Sequence, residues 1–273
     1  MRKKQPGDPQ SMAVSSIMDD GGLNFPDLAR ELRDNVYDKL WEETPTYLVS
    51  FDGILLEVRY EGLIACCWTR LPEWLLTSKQ LRAEGLEQFH RKAEWRVQVQ
   101  QNLRGLKTFL KAGALHPSRS RTWVMEELML FPMEYNAKKP QQPFHLSPYY
   151  DREVEAMRSV SRHAATASTL RLEIRMPCHG VFSERLSKTY TPTSFDLSRL
   201  DGVRTQFSKL EIVRKKSVIP SIHLTDGILA MLLDECSRLG VALVYGHARE
   251  DFSMQDEVGE QDVEFKFTCV SLV

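Results

Sequence analysis

Residues 224–247, LTDGILAMLLDECSRLGVALVYGH, constrain the fold more than any other stretch of the chain. They read as one capped helix followed by a buried strand. Thr225 can accept a hydrogen bond from a free backbone N–H of the first turn. Asp226 stands where the helix dipole favours an anion, and Arg238 where it favours a cation. Ile228, Leu229, Leu232, Leu233, Cys236 and Leu239 recur at helical spacing, so one broad face must lie on something apolar. Gly240 is expected to close the helix in the left-handed conformation, and 241–245 to form an interior strand. A strand around Leu210 and Ile212 precedes the helix. The last third therefore reads strand, loop, helix, strand.

The same two periods organise the rest. Leu170, Leu172, Ile174 and Met176 alternate with Arg171, Glu173 and Arg175, which predicts a half-buried strand with one wet face. Val263, Phe265, Phe267 and Cys269 predict another. Residues 47–60 and 63–68 predict two strands about Glu61-Gly62, with Asp52-Gly53 as a second candidate turn. Helices are expected over 24–41, with Leu28, Leu32, Val36 and Leu40 as its stripe, and over 78–90, 92–110 and 152–163. The expected class is α+β, an antiparallel sheet packed against several helices. Residues 1–22 lack apolar periodicity and read as a disordered, basic-tipped arm. Residues 23–273 read as one domain. The segment 136–150 carries Pro140, Pro143 and Pro148 and is the candidate internal break. Residues 183–205 read as a loop, and the acidic 252–259 as another.

Composition places the chain in a broad class. The formal net charge is −1, which argues against coating nucleic acid by charge alone. No apolar run approaches the length of a membrane span, and no apolar signal core follows the start. The five cysteines form no disulfide framework, so an intracellular, reducing location is expected.

Chemical motifs are few. The chain has no phosphate-binding glycine loop, HExxH, GxSxG or paired Cys-x-x-Cys. Cys178-His179 invites a nucleophile or metal reading, but no neighbour in sequence completes a triad or ligand set. Cys66-Cys67 suits a packed strand, and the seven histidines fall in no ligand spacing. No enzyme activity, cofactor, metal or small-molecule substrate is expected. The candidate contact residues are basic: Arg2, Lys3 and Lys4 in the arm, Arg119 and Arg121 in a Pro- and Ser-bearing loop, and Arg214, Lys215 and Lys216 at a strand end. Arg96, Gln100, Arg104, Lys107 and Lys111 would share a side of the helix expected over 92–110. Each cluster can meet phosphate or lipid, or can simply be solvated.

The order of elements resembles that of rhabdovirus matrix proteins. The resemblance rests on the MRKK arm, the TYLVSFDGILLEVRYEG strand region and LKTFLKAGAL with the Pro-bearing loop after it. It continues through CHGVFSERLSKTYTP, KLEIV, the 225–239 helix and LGVALVYG. The chain departs from that family in lacking a Pro-rich budding motif in the arm and in its near-neutral charge. What the resemblance implies is assembly: binding the inner face of an anionic membrane, condensing a nucleocapsid and self-associating. Two other readings stay open. One is a non-catalytic subunit of a cellular ribonucleoprotein or other multi-protein complex. The other is an enzyme whose site is dispersed over the fold, with Cys178, His179 or His223 converging.

Overall fold

The computed structural model describes residues 24–43, 46–60, 70–98, 110–111, 113–132, 139–164, 167–176, 190–203, 207–215, 224–244 and 263–270. The first strands, β1 (Tyr47–Phe51) and β2 (Ile54–Arg59), form an antiparallel hairpin. It turns at Asp52-Gly53, where both residues have positive φ, 47° and 76°. Asp-Gly suits such a two-residue turn, because a glycine tolerates the left-handed region and an aspartate does so better than most residues. The alternative turn at Glu61-Gly62 and the strand expected over 63–68 lie outside the described residues.

Before this hairpin, Phe25–Asp27 makes a short 3-10 turn led by Pro26, and α1 spans Arg30–Glu42. Its buried positions are Tyr37 and Trp41, while Leu32 and Val36 are 53% and 40% exposed. The aliphatic stripe expected to face the core therefore lies beside the buried face, and two aromatics take its place. Trp41 meets Trp74 at 5.1 Å and Phe89 at 4.5 Å between ring centroids. Its indole donates to the Gly85 carbonyl of α2 (Lys79–Lys92) at 2.8 Å. Ser78 caps α2 by accepting from the Leu81 N–H.

The helix expected over 92–110 is not formed across 93–98. Ala93 turns extended (φ −66°, ψ 136°), and Glu94–Gln98 is strand β3. Its alternation explains why: Trp95 and Val97 enter the core, whereas Glu94 and Arg96 point the other way. Arg96 thus leaves the basic helix side expected for it. After β4 (Leu110–Lys111) come β5 (Thr122–Pro132), β6 (Gln141–Leu146), α3 (Asp151–Ser161), β7 (Thr169–Arg175), β8 (Thr191–Asp196), β9 (Lys209–Lys215), α4 (Asp226–Val244) and β10 (Val263–Val270).

The strands join in one mixed sheet of order β10-β9-β7-β5-β3-β2-β1-β4, with β6 on β5 and β8 on β6. The α+β class is borne out. Within the sheet, β3, β5, β7 and β9 are successive parallel neighbours, and β10 and the β1–β2 hairpin add antiparallel pairs. Two segments expected as irregular connections supply β6 and β8. Both contain proline, which cannot donate to a ladder. Pro192 sits on β8, whose one partner among the described strands is β6, and Pro143 sits at the register shift between them.

Two local features correct the expected pattern further. In β5 the register shifts between Met125 and Leu128, so Glu126 and Glu127 oppose Glu173 alone. This is a β-bulge, and Glu127 takes φ 56° to make it. It restores the phase, so Met125 and Leu128 both reach the core. The hydroxyl of Tyr150 closes the bulge. It donates to the Glu127 carbonyl at 2.5 Å and accepts from the Met129 N–H at 3.3 Å. In α4 the helix runs through Gly240 to Val244, and no strand follows at 241–244. A Cβ on Gly240 would lie 2.9 Å from Cys269 Sγ and 3.1 Å from its Cβ. The glycine therefore lets α4 approach β10.

Candidate functional site

Three polar constellations emerge from this architecture. The largest is a ladder of charges on the sheet face opposite the apolar core. Because β2, β3, β5, β7 and β9 lie side by side, their outward residues meet across strands. Glu94 accepts from Arg59 Nε at 2.9 Å, Arg96 Nη2 at 3.2 Å and Arg171 Nη1 at 2.8 Å. Glu126 pairs with Arg59 Nη2 at 2.8 Å and with Arg96 Nη1. Arg171 Nε reaches Glu211 at 3.0 Å, and Lys209 Nζ meets the same carboxylate at 2.6 Å. The Glu94, Arg96 and Glu211 side chains are under 10% exposed. Burial pushes the Glu211 carboxyl upward, but the Lys209 and Arg171 bonds outweigh it and hold the group below the usual carboxylate range. These three acids each take two or more of the four cations, so every one of these charges is paired. What was expected as a wet face on β7 is a paired one.

The second constellation is His145 on β6 with Asp196 on β8. They face each other directly in the parallel register. His145 Nδ1 lies 2.9 Å from Asp196 Oδ2, and the Ser198 N–H donates to Asp196 Oδ1 at 2.9 Å. Burial raises the Asp196 carboxyl, but the Ser198 and His145 bonds prevail and bring it to about 2. The carboxylate therefore holds the imidazole proton on Nδ1. Nε2 is buried and bonds to none of the described residues. Both side chains fall in segments read from sequence as connections, and only the strand pairing brings them together.

The third is the rim where the β1–β2 turn, the 3-10 turn Pro117–Arg119 and the end of α3 meet. Phe51 ends β1. The His116 ring lies 5.1 Å from it and the His163 ring 5.2 Å, both edge-on. His116 Nδ1 accepts from the Ser118 N–H at 3.2 Å, which fixes the turn carrying Arg119. The Arg121 carbonyl accepts from Ser168 and Thr169 at 2.9 and 3.0 Å, tying the same loop to the start of β7. Arg119, Arg121 and Arg162 are exposed, and none makes an ion pair among the described residues. By contrast Arg33, Arg59, Arg96, Arg171 and Arg238 are held by carboxylates.

The residues singled out from sequence separate accordingly. Arg119 and Arg121 stand together on this rim. Arg214 is 2% exposed within β9, so it cannot serve as a surface contact: strand alternation turns it inward. Lys215 ends the same strand. Arg2, Lys3, Lys4 and Lys216 lie outside the described residues, as do Cys66-Cys67, Cys178-His179 and His223. Cys236 and Cys269 are free, buried thiols, and burial pushes both upward. Among the described residues no cluster of three or more His, Cys, Asp or Glu is placed to hold a metal, and no helix is long and apolar enough to cross a membrane. The sequence signal for the charge ladder was the alternation EWRVQ at 94–98; the Phe51 rim has none, its parts being up to 112 positions apart in the chain, from Phe51 to His163. The chain matches no protein-family model, no curated protein and no solved structure.

Proposed function

We propose that the chain is a non-enzymatic assembly protein of the viral matrix type, which attaches to an anionic membrane surface, condenses a nucleocapsid and associates with itself. The observation that supports attachment is the pair Arg119 and Arg121, exposed and outside any ion pair among the described residues. Guanidiniums left free in this way favour bidentate phosphate contacts. Charge near an anionic leaflet contributes about 1 kcal/mol per basic group and is screened by salt. The test is flotation with anionic and with neutral liposomes at low and high salt. Binding to anionic liposomes that weakens in high salt, and weakens again in Arg119→Gln/Arg121→Gln, is the expected result. Equal binding of the double variant removes the assignment.

A second reading has its own observation. Leu32 and Val36 form an exposed i, i+4 pair on α1, and Leu76 is 72% exposed. Such residues suit burial against a protein, as in a non-catalytic subunit of a multi-protein complex. Indifference to all liposomes, together with a partner whose binding Val36→Asp abolishes, would favour this reading.

A further inference from the structure

The structure points to a pH-responsive contact surface, a reading that rests on the membrane attachment proposed above. We infer that Phe51, held between His116 and His163 beside Arg119 and Arg121, meets the anionic headgroups, and that attachment tightens in mildly acidic solution. The geometry is specific. Two imidazoles from different parts of the chain, one before a 3-10 turn and one after α3, approach one phenyl ring at 5.1 and 5.2 Å. Both imidazoles stand edge-on to Phe51, at interplanar angles of 89° and 70°, so the two histidines fix the phenyl ring at the rim. Each also has a partner in the charged state. Protonation of His116 Nδ1 exchanges the bond accepted from the Ser118 N–H for one donated to Ser118 Oγ, which lies 2.8 Å away. His163 Nε2 is 3.9 Å from Asp52 of the β1–β2 turn.

The surrounding charges set the direction. Arg119, Arg121 and Arg162 are exposed on the segments that carry the two histidines, and Asp52 is the carboxylate paired with His163. Burial, helped by the charges of Arg119 and Arg121, pushes His90 down to about 4, so this imidazole adds no charge between pH 7.5 and pH 5.5. Two imidazolium charges would thus join three guanidiniums. At an anionic leaflet each is expected to tighten binding about fivefold, and both together about 25-fold.

The experiment uses full-length protein and phosphatidylglycerol vesicles, whose phosphate keeps its charge across the range, with flotation at pH 7.5 and pH 5.5. The expected wild-type result is salt-sensitive binding at pH 7.5 that tightens 10- to 30-fold at pH 5.5. His116→Gln/His163→Gln should bind as wild type at pH 7.5 and lose the acidic gain. His163→Gln alone, at an exposed position, should lose about half of it on a logarithmic scale and guards against misfolding of the His116 turn. A gain that persists in the double variant would overturn the inference and assign the effect to other groups such as Glu153. Binding without pH dependence would overturn it while leaving the attachment reading intact. No flotation at either pH would remove both. Equal binding of inorganic phosphate, read as competition at millimolar concentration, would reassign the rim to a soluble anion.

Discussion

Replacing Gly240 by alanine tests the packing of α4 on the sheet. The new Cβ would stand 2.9 Å from Cys269 Sγ and 3.1 Å from Cys269 Cβ, and Cys269 is fully buried on β10. Contacts that short force movement of a strand or a helix, and overpacking of this kind costs about 1–3 kcal/mol. Against it, alanine in a helix interior is favoured over glycine by about 1 kcal/mol. Since the nearest atom belongs to a short side chain on a strand that cannot swing away, the upper part of that range applies. Gly240→Ala should then destabilise by about 1–2 kcal/mol net. Cys269→Ala removes the sulfur. In that background Gly240→Ala should be near neutral or stabilising, a coupling of about 1–2 kcal/mol in a double-mutant cycle. Urea unfolding followed by far-ultraviolet circular dichroism at pH 7 measures all four variants. Additive effects, or a stabilising Gly240→Ala in the wild-type background, would refute the argument. A left-handed glycine at the helix end would also make the substitution costly, but equally so with and without the sulfur.

Three further outcomes are expected. Glu94→Gln leaves Arg59, Arg96 and Arg171 without the carboxylate they share, and should cost about 3–5 kcal/mol in urea unfolding; a cost below about 1 kcal/mol would show that the ladder is effectively solvated. Tyr150→Phe strands the Glu127 carbonyl and the Met129 N–H at the bulge and should cost about 1–3 kcal/mol, with hydrogen exchange at Met129 accelerating more than elsewhere in β5. Burial pushes the Glu153 carboxyl up to about 7. An acid whose folded pKa is raised weakens the fold as pH climbs from the unfolded value near 4.3 through 7. Glu153→Gln should therefore raise Tm over wild type at pH 8 and match it at pH 4; a constant difference would exclude the titration.

Much of the fold was legible because periodicity reports burial directly. The strands at 169–175, 209–215 and 263–270 and the helix starting at Asp226 follow from alternation and from helical spacing. The errors have identifiable causes. At Gly240 the residue type signals either a left-handed cap or a close approach, and only the position of Cys269 distinguishes them. At 92–98 a helical stripe and a two-residue alternation share Trp95, and pairing with β2 and β5 decides for the strand. Prolines hide β6 and β8: Pro143 sits at the register shift of β6, and Pro192 on β8, which has one partner among the described strands. Of the candidate site, Arg119 and Arg121 were legible as loop cations. The Phe51 rim was not, because its contacts join elements that the sequence keeps far apart.

The charge ladder also bears on how the sheet finds its alignment. Along β7 and β9 the core side offers Leu170, Leu172 and Ile174 against Leu210 and Ile212. Those side chains differ little in volume, so a slip of two residues would bury nearly the same apolar surface. On the other side such a slip replaces Arg171 opposite Glu211 by Glu173 opposite Glu211, two carboxylates in a setting that excludes water. Like charges placed directly across strands are destabilising, and more so when desolvated. The ion pairs thus act as an address. They add little to the stability of the correct alignment over an all-apolar face, yet they make this neighbouring alignment costly, which matters for parallel strands whose partners lie tens of residues apart.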